Sequence, residues 1–320
     1  MRRISTVFAL AAFTAGCSDA PTTPLSEVSR ENATSPGSHG NPSHPAGAAA
    51  ASETIYAVTS GNQLITFQSG SGTVTSSVQI SGLVAGESIV GIDFRPSDLN
   101  TGDGIDNVGK LYAVSSAGRV YIINPATGAF TFHTRLVTAT GALVDLSGTS
   151  FGVGFNPTVD RLRIHSDADQ NLRVNVDNGV TIVDGTLAYT AGDPNSGRNP
   201  TVTGTGYTNN DADTHTGTEL YGIDAGLDIL IEFGAASATT GPNSGQLLTV
   251  GSLGVDTEIF VGFDISNATQ TAYAALRVGH GHGSTGAAQL YSVNLDTGAA
   301  TLIGALPATS APIVGIAVAP

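Results

Sequence analysis

The chain has 320 residues, with 26 Asp and Glu against 12 Lys and Arg, and a formal net charge of −14. That balance argues against a nucleic-acid binder, whose phosphates need basic contacts, and against docking on anionic lipid through a basic patch. One cysteine excludes a disulfide within the chain, and the absence of tryptophan disfavours the aromatic platforms typical of sugar binding.

The first element is an export signal. Arg2 and Arg3 precede the apolar run Val7 to Phe13, and the small residues Ala15 and Gly16 lead into Cys17. The run is too short for a membrane-spanning helix. Residues 1–17 resemble a bacterial lipoprotein signal, in which the cysteine after the cut becomes the lipidated N-terminus; Thr14 stands where leucine is usual. Cys17 is therefore the expected lipidation site, the plainer alternative being a chance cysteine in an ordinary signal peptide. Residues 18–52 are rich in Ser, Pro, Ala, Gly, Thr and Asn and cannot bury a core, so they read as a disordered tether. Its reach as a flexible coil is about 30–35 Å.

Residues 53–320 form a repeat. A glycine recurs in the same place within five short apolar strands: Ile89 to Phe94, Ser150 to Phe155, Thr201 to Tyr207, Phe260 to Ile265 and Ile313 to Val318. Each unit adds three more runs rich in Val, Ile, Thr, Tyr and Phe, separated by Gly, Asn, Asp, Ser and Pro. In the second run one column reads Tyr56, Tyr112, Arg163, Tyr221 and Tyr273. The fourth runs include Thr73 to Ile80 and Val180 to Tyr189. The hairpin segments Asn124-Pro125-Ala126-Thr127-Gly128 and Asn294-Leu295-Asp296-Thr297-Gly298 match at Asn, Thr and Gly.

Four antiparallel strands per unit, repeated radially, predict an all-β, five-bladed β-propeller of about 54 residues per blade. The order at the ends predicts how it closes. The chain enters on the second strand of a unit and leaves on a lone first strand, so the C-terminal strand is expected to pair with the N-terminal blade. A column glycine permits close backbone approach near the axis. Ile92, Phe94, Val153, Phe155 and Phe263 are expected to pack between blades.

Val90-Gly91-Ile92-Asp93-Phe94-Arg95-Pro96, Phe155-Asn156-Pro157-Thr158-Val159-Asp160-Arg161-Leu162-Arg163, Gln170-Asn171-Leu172-Arg173 and Leu253-Gly254-Val255-Asp256 resemble the bacterial domain of unknown function 4394. The resemblance spans nearly all of residues 53–320. It implies secreted or surface-exposed proteins with a propeller-like repeat, and no established activity. The insert Ser97 to Val108 departs from the shorter connection of that pattern.

Charged residues crowd the third unit. Arg161, Arg163 and His165 alternate and share one face of a strand. Two readings stay open: an Arg fork for a carboxylate or phosphate ligand, or an ionic network with Asp160, Asp167 and Asp169. Asp93 and Asp264 each follow a column glycine by two positions, so they share its face and could meet at the axis as a carboxylate pair. The Asp98 to Asn107 loop has oxygen ligands at short intervals but lacks the closing Glu of a calcium loop, and a solvated Asp/Gly turn is the better reading. Asn209 to His215 and the Gly279-His280-Gly281-His282-Gly283 loop are no stronger. No metal or cofactor is expected.

No zinc-protease or Walker motif occurs. The reading is therefore a non-enzymatic, lipid-anchored cell-envelope binding or scaffold module, exported and monomeric. Its partner is a protein or small ligand, with no nucleic acid and membrane contact only through the anchor. The alternative is a glycosidase-like hydrolase or lyase with a site at one mouth of the channel. Carboxylates in an open cleft would favour the enzyme, and a plugged channel would favour the scaffold.

Overall fold

A computed structural model describes residues 52–99, 105–211, 213, 216–234, 241–279, 286–309 and 311–320. The expected signal, Cys17 and nearly all of the tether lie outside the described residues.

The strands run in chain order as β1 (Thr54–Thr59), β2 (Gln63–Gln68), β3 (Val74–Gln79), β4 (Ile89–Phe94), β5 (Leu111–Ser115), β6 (Arg119–Asn124) and β7 (Ala129–Arg135). They continue as β8 (Phe151–Asn156), β9 (Arg161–Ser166), β10 (Asn171–Val174), β11 (Thr181–Val183), β12 (Ala188–Tyr189), β13 (Val202–Tyr207) and β14 (Leu220–Asp224). The last are β15 (Ile229–Phe233), β16 (Gln246–Ser252), β17 (Thr257–Ile265), β18 (Ala272–Val278), β19 (Gln289–Val293), β20 (Ala300–Ala305) and β21 (Ile313–Val318).

These strands make five sheets. The first is β21-β1-β2-β3, the second β4 to β7, the third β8 to β11 and the fifth β17 to β20; the fourth, β13 to β16, carries β12 as an extra edge strand. The strand expected to close the ring does so. β21 pairs antiparallel with β1, with Ile55 opposite Val318 and Ala57 opposite Ile316.

Position in the blade explains each strand's composition. The inner strand β4 is packed on both faces and reads Ile-Val-Gly-Ile-Asp-Phe, nearly all buried. The outer strand β3 alternates half-buried with exposed residues, because only one face has a neighbour. The apolar core accordingly lies in the seams between blades. Val90, Tyr112, Phe151, Val153, Phe155 and Leu162 join the second and third sheets, and Ile223, Val261, Phe263 and Ala274 join the fourth and fifth. Ile92 packs with Val58 and Ala317 in the first-to-second seam, and Phe94 meets Tyr56 edge-on at 5.6 Å.

The column glycines lie where neighbouring inner strands approach. A Cβ on Gly204 would fall 2.8 Å from Phe263 Cβ, and one on Gly262 2.7 Å from Ile316 Cγ2, so any side chain there would push the blades apart. The matching hairpins behave alike. Asn124 Oδ1 accepts from the N–H groups of Ala126 and Thr127, Asn294 Oδ1 from those of Asp296 and Thr297, and Gly128 and Gly298 close the turns at φ of 68° and 80°.

One expected strand is split. Val180 to Tyr189 is not a single fourth strand: β11 ends at Val183, and β12 crosses to the fourth sheet, where it pairs parallel with β16. Asp184 interrupts the run because its side chain is drawn onto Arg163 and Arg173, at 2.6 Å and 3.1 Å. The N–H of Gly185 is then satisfied by the carbonyl of Asn243, outside its own sheet.

Candidate functional site

The axis is closed. Gly91, Gly152, Gly204 and Gly315 bring the inner strands together, and the side chains of Phe151, Val153, Thr203, Thr205, Phe263 and Ile316 help to fill the space between them. What remains is about 10 Å³, room for about one water.

Asp93 and Asp264 are not presented to an open cleft. Each is buried within the ring, 4 % and 3 % exposed, with both oxygens engaged by backbone. Asp93 accepts from its own Phe94 N–H at 2.7 Å and from Phe155 N–H of the next inner strand at 2.5 Å. Asp264 accepts from Ile265 N–H at 2.8 Å and from Val318 N–H at 2.7 Å. Burial raises the pKa of both. The charge of Asp264 adds to the rise at Asp93, while the backbone N–H groups favour the carboxylate and partly offset it.

Arg163 and His165 do share a face, and it is turned into the seam between the third and fourth sheets. Arg163 is 2 % exposed and donates to Asn171 Oδ1 at 2.8 Å, Asp184 Oδ2 at 2.6 Å and Asn243 Oδ1 at 2.6 Å. Its acidic partner is Asp184, not the Asp160, Asp167 or Asp169 of the sequence reading. Asp160 is held by Arg95, and Asp167 accepts from Thr149. His165 is wholly buried, stacks on Phe233 at 4.1 Å and pairs through Nδ1 with Thr205 Oγ1 at 2.9 Å. Burial first, and Arg163 second, push its pKa well down, so its ring is neutral at physiological pH. Arg161, at the strand's start, is half-buried and turns Nη1 back onto the carbonyls of Val159 and Asp160.

The densest charged cluster centres on Arg95, a residue the sequence reading did not single out as a site. Its guanidinium is fully buried. It binds Asp160 through Nε at 2.8 Å and Nη2 at 2.5 Å, and Asp177 through Nη1 at 2.8 Å and Nη2 at 3.0 Å. Asp98 accepts a further bond at 3.1 Å. Asp98, Asp160 and Asp177 bring one carboxylate oxygen each within 4.8 Å of the others, the spacing of a cation site. Arg95 supplies the positive charge at that cluster, so the carboxylates are answered from within the chain. The insert after β4 thus directs Asp98 inward, where Oδ2 also accepts from Asn107 N–H at 3.1 Å. Residues 100–104 of the insert, His215 and the His280 to Gly283 part of the glycine-rich loop lie outside the described residues.

Two open grooves flank the ring. One, of about 350 Å³, is lined by Leu99, Val159, Asp160, Arg161, Asn175, Asp177 and Asn178 on the face where the inner strands end. The other, of about 320 Å³, lies where β13 and β17 begin and includes Asp228, Asp256 and Glu258.

Five blades of antiparallel strands around a plugged axis define a five-bladed β-propeller. Residues 63–317 match the family described as domain of unknown function 4394, and the chain belongs to that family. No curated protein matches the chain. Among solved structures it is similar to a structural genomics protein of unknown function from Bacteroides thetaiotaomicron, at 14 % identity over 82 % of this chain and 61 % of that one, with a TM-score of 0.43. It is also similar to the dihydro-heme d1 dehydrogenase NirN, at 14 % identity over 85 % of this chain and 47 % of that one, TM-score 0.33. A third is BBS1N in complex with ARL6DN, at 11 % identity over 82 % and 66 %, TM-score 0.36. The chain thus spans about three fifths of the first and about half of the second.

Proposed function

We propose that the protein is a non-enzymatic binding or scaffold module, held on the bacterial cell envelope by lipid on Cys17, monomeric, and engaging a protein or small ligand on its propeller surface. The observation that carries this reading is the axis. Its cavity of about 10 Å³ admits no substrate, and Asp93 and Asp264 spend both oxygens on backbone N–H groups. A glycosidase needs two carboxylates about 5–10 Å apart flanking an accessible bond. Arg163 and His165, the other candidates for chemistry, are sealed in a blade seam. The anchor rests on Ala15-Gly16-Cys17.

The test is a turnover screen of the full chain against neutral and acidic glycans and ester substrates, alongside cell fractionation. The expected result is no product above the no-protein rate and recovery in the membrane fraction. Turnover abolished by Asp93→Asn or Asp264→Asn in a folded protein would establish the hydrolase alternative instead.

A further inference from the structure

We infer that the groove between the second and third blades binds a neutral, hydroxyl-rich ligand, a short saccharide; this deepens the binding-module reading and rests on it. At about 350 Å³ the groove falls in the size range of small-molecule sites. Its wall is fixed by the Arg95 cluster. Asp160 and Asp177 are each gripped by two bonds from one guanidinium, so their carboxylates cannot swing. A carboxylate oxygen has two lone pairs, and Asp177 uses one on each oxygen. Asp177, whose side chain is 14 % exposed, therefore keeps acceptor capacity in a set orientation, whereas the Asp160 carboxylate is buried and also accepts from the N–H of Leu99.

Donors stand beside those acceptors. Asn175 spends Oδ1 on the N–H of Asp177 at 3.0 Å, and Asn178 spends Oδ1 on the N–H of Val180 at 2.9 Å. Both leave Nδ2 without a partner among the described residues. Among the described residues Arg161 uses only Nη1, on the carbonyls of Val159 and Asp160. Two aliphatic side chains complete the lining, Leu99 and Val159, 54 % and 46 % exposed.

Charge then selects the ligand class. Three carboxylates and two guanidiniums nearly cancel, so neither a strongly cationic nor a strongly anionic ligand gains much here. Unfilled donors next to unfilled acceptors match hydroxyl groups, each of which donates and accepts at once. The C–H face of a sugar ring can lie on Leu99 and Val159. With no aromatic platform in the groove, affinity should be weak, with Kd on the order of 1 mM.

The test is an NMR titration of the isotope-labelled full chain with neutral trisaccharides of glucose, galactose and N-acetylglucosamine, to about 20 mM. Anionic trigalacturonate and cationic triglucosamine serve as comparators. At least one neutral trisaccharide should shift the resonances of Leu99, Asn175 and Asn178. Asn178→Asp keeps the Oδ acceptor for Val180 but loses the free donor, and should weaken binding at least about fivefold. Asn294→Asp changes an Asx turn in the fifth blade and should leave affinity unchanged. If Asn178→Asp lowers the melting temperature, Leu99→Ser at an exposed position gives the same reading. No shift at the groove with any neutral sugar, or tighter binding there of a charged one, overturns the proposal and leaves the binding-module reading standing. Release of cleaved sugar would instead overturn that reading.

Discussion

Asp264 accepts a hydrogen bond from the backbone N–H of Val318 at 2.7 Å, across the seam where the last strand of the chain meets the fifth blade. Asp93 does the same to Phe155 at 2.5 Å, between the second and third blades. The two bonds are rotational equivalents. In each, a residue two past the column glycine reaches the corresponding N–H of the next inner strand. At the other three seams that position holds Gly154, Gly206 or Ala317, which offer no acceptor. Two of five seams are therefore clasped by a buried carboxylate.

The clasp makes stability depend on pH with an inverted sign. Burial, opposed by the N–H groups of Val318 and Ile265, lifts the Asp264 pKa to about 7, with Glu53 adding to the rise. A carboxyl whose folded pKa exceeds its unfolded value of about 3.9 stabilises most at low pH, where it is protonated in both states; this contribution is lost as pH rises through the folded value. His165 acts in the opposite direction, since its depressed pKa removes stability as pH falls below about 6.5. The difference between wild type and Asp264→Asn isolates the clasp. Relative to wild type, the variant should gain roughly 1–3 kcal/mol between about pH 5 and pH 8 in denaturant titrations. A pH-independent difference would show that Asp264 titrates normally.

Arg163→Ala should destabilise the protein by about 3–5 kcal/mol, because it leaves Asp184 with only the half-exposed Arg173 and strips bonds from Asn171 and Asn243. Arg161→Ala, by contrast, removes only bonds to nearby carbonyls and should change stability by less than about 1 kcal/mol. Chemical denaturation measures both. An Arg163 variant as stable as wild type would mean that the guanidinium is not integral to the seam and would reopen the ligand reading of that face.

The architecture was legible because it rests on repetition. Glycine at one position in five strands and a missing first strand at Thr54 are one-dimensional patterns, and they specify blade number and closure. The charged partnerships were not. Arg163 pairs with Asp184, twenty-one residues on, through a chain reversal that no spacing rule encodes. Arg95 meets Asp160 and Asp177 because three separate connections converge on one face of the ring. The one local hint was Arg163 in a column of tyrosines, which marked the seam but not its partner. Asp93 and Asp264 each stand two positions past a column glycine, yet their acceptance of neighbouring N–H groups required the register between blades.

Cys17→Ser should move the protein from the membrane fraction to the soluble fraction. The motive is the position of the only cysteine directly after Ala15-Gly16. Mass spectrometry of the wild type should find diacylglycerol or a fatty acyl group on the mature N-terminal cysteine. A serine variant that stays wholly with membranes would remove the lipid from the account without touching the propeller.

Deleting Pro312 to Pro320 should leave the protein insoluble or unfolded, although the deleted part is a terminus. The segment is β21, the inner strand of the first blade. Its loss bares the edge of β1, which pairs with it from Ile55 to Thr59, and leaves Asp264 without Val318. Ile313, Val314, Ile316 and Val318 are all buried, and each contributes about 1.5–3 kcal/mol. The sum, roughly 6–12 kcal/mol, matches the whole stability of about 5–15 kcal/mol available to a typical domain. Ile316 also fills the close approach opposite Gly262, so its removal opens the ring at the axis as well as at the blade. Size-exclusion chromatography and a thermal melt decide the matter. A truncated chain that remains monomeric and melts cooperatively near the wild-type temperature would show that the ring is stable without joining its ends, and closure by β21 would then be a contact of no energetic consequence.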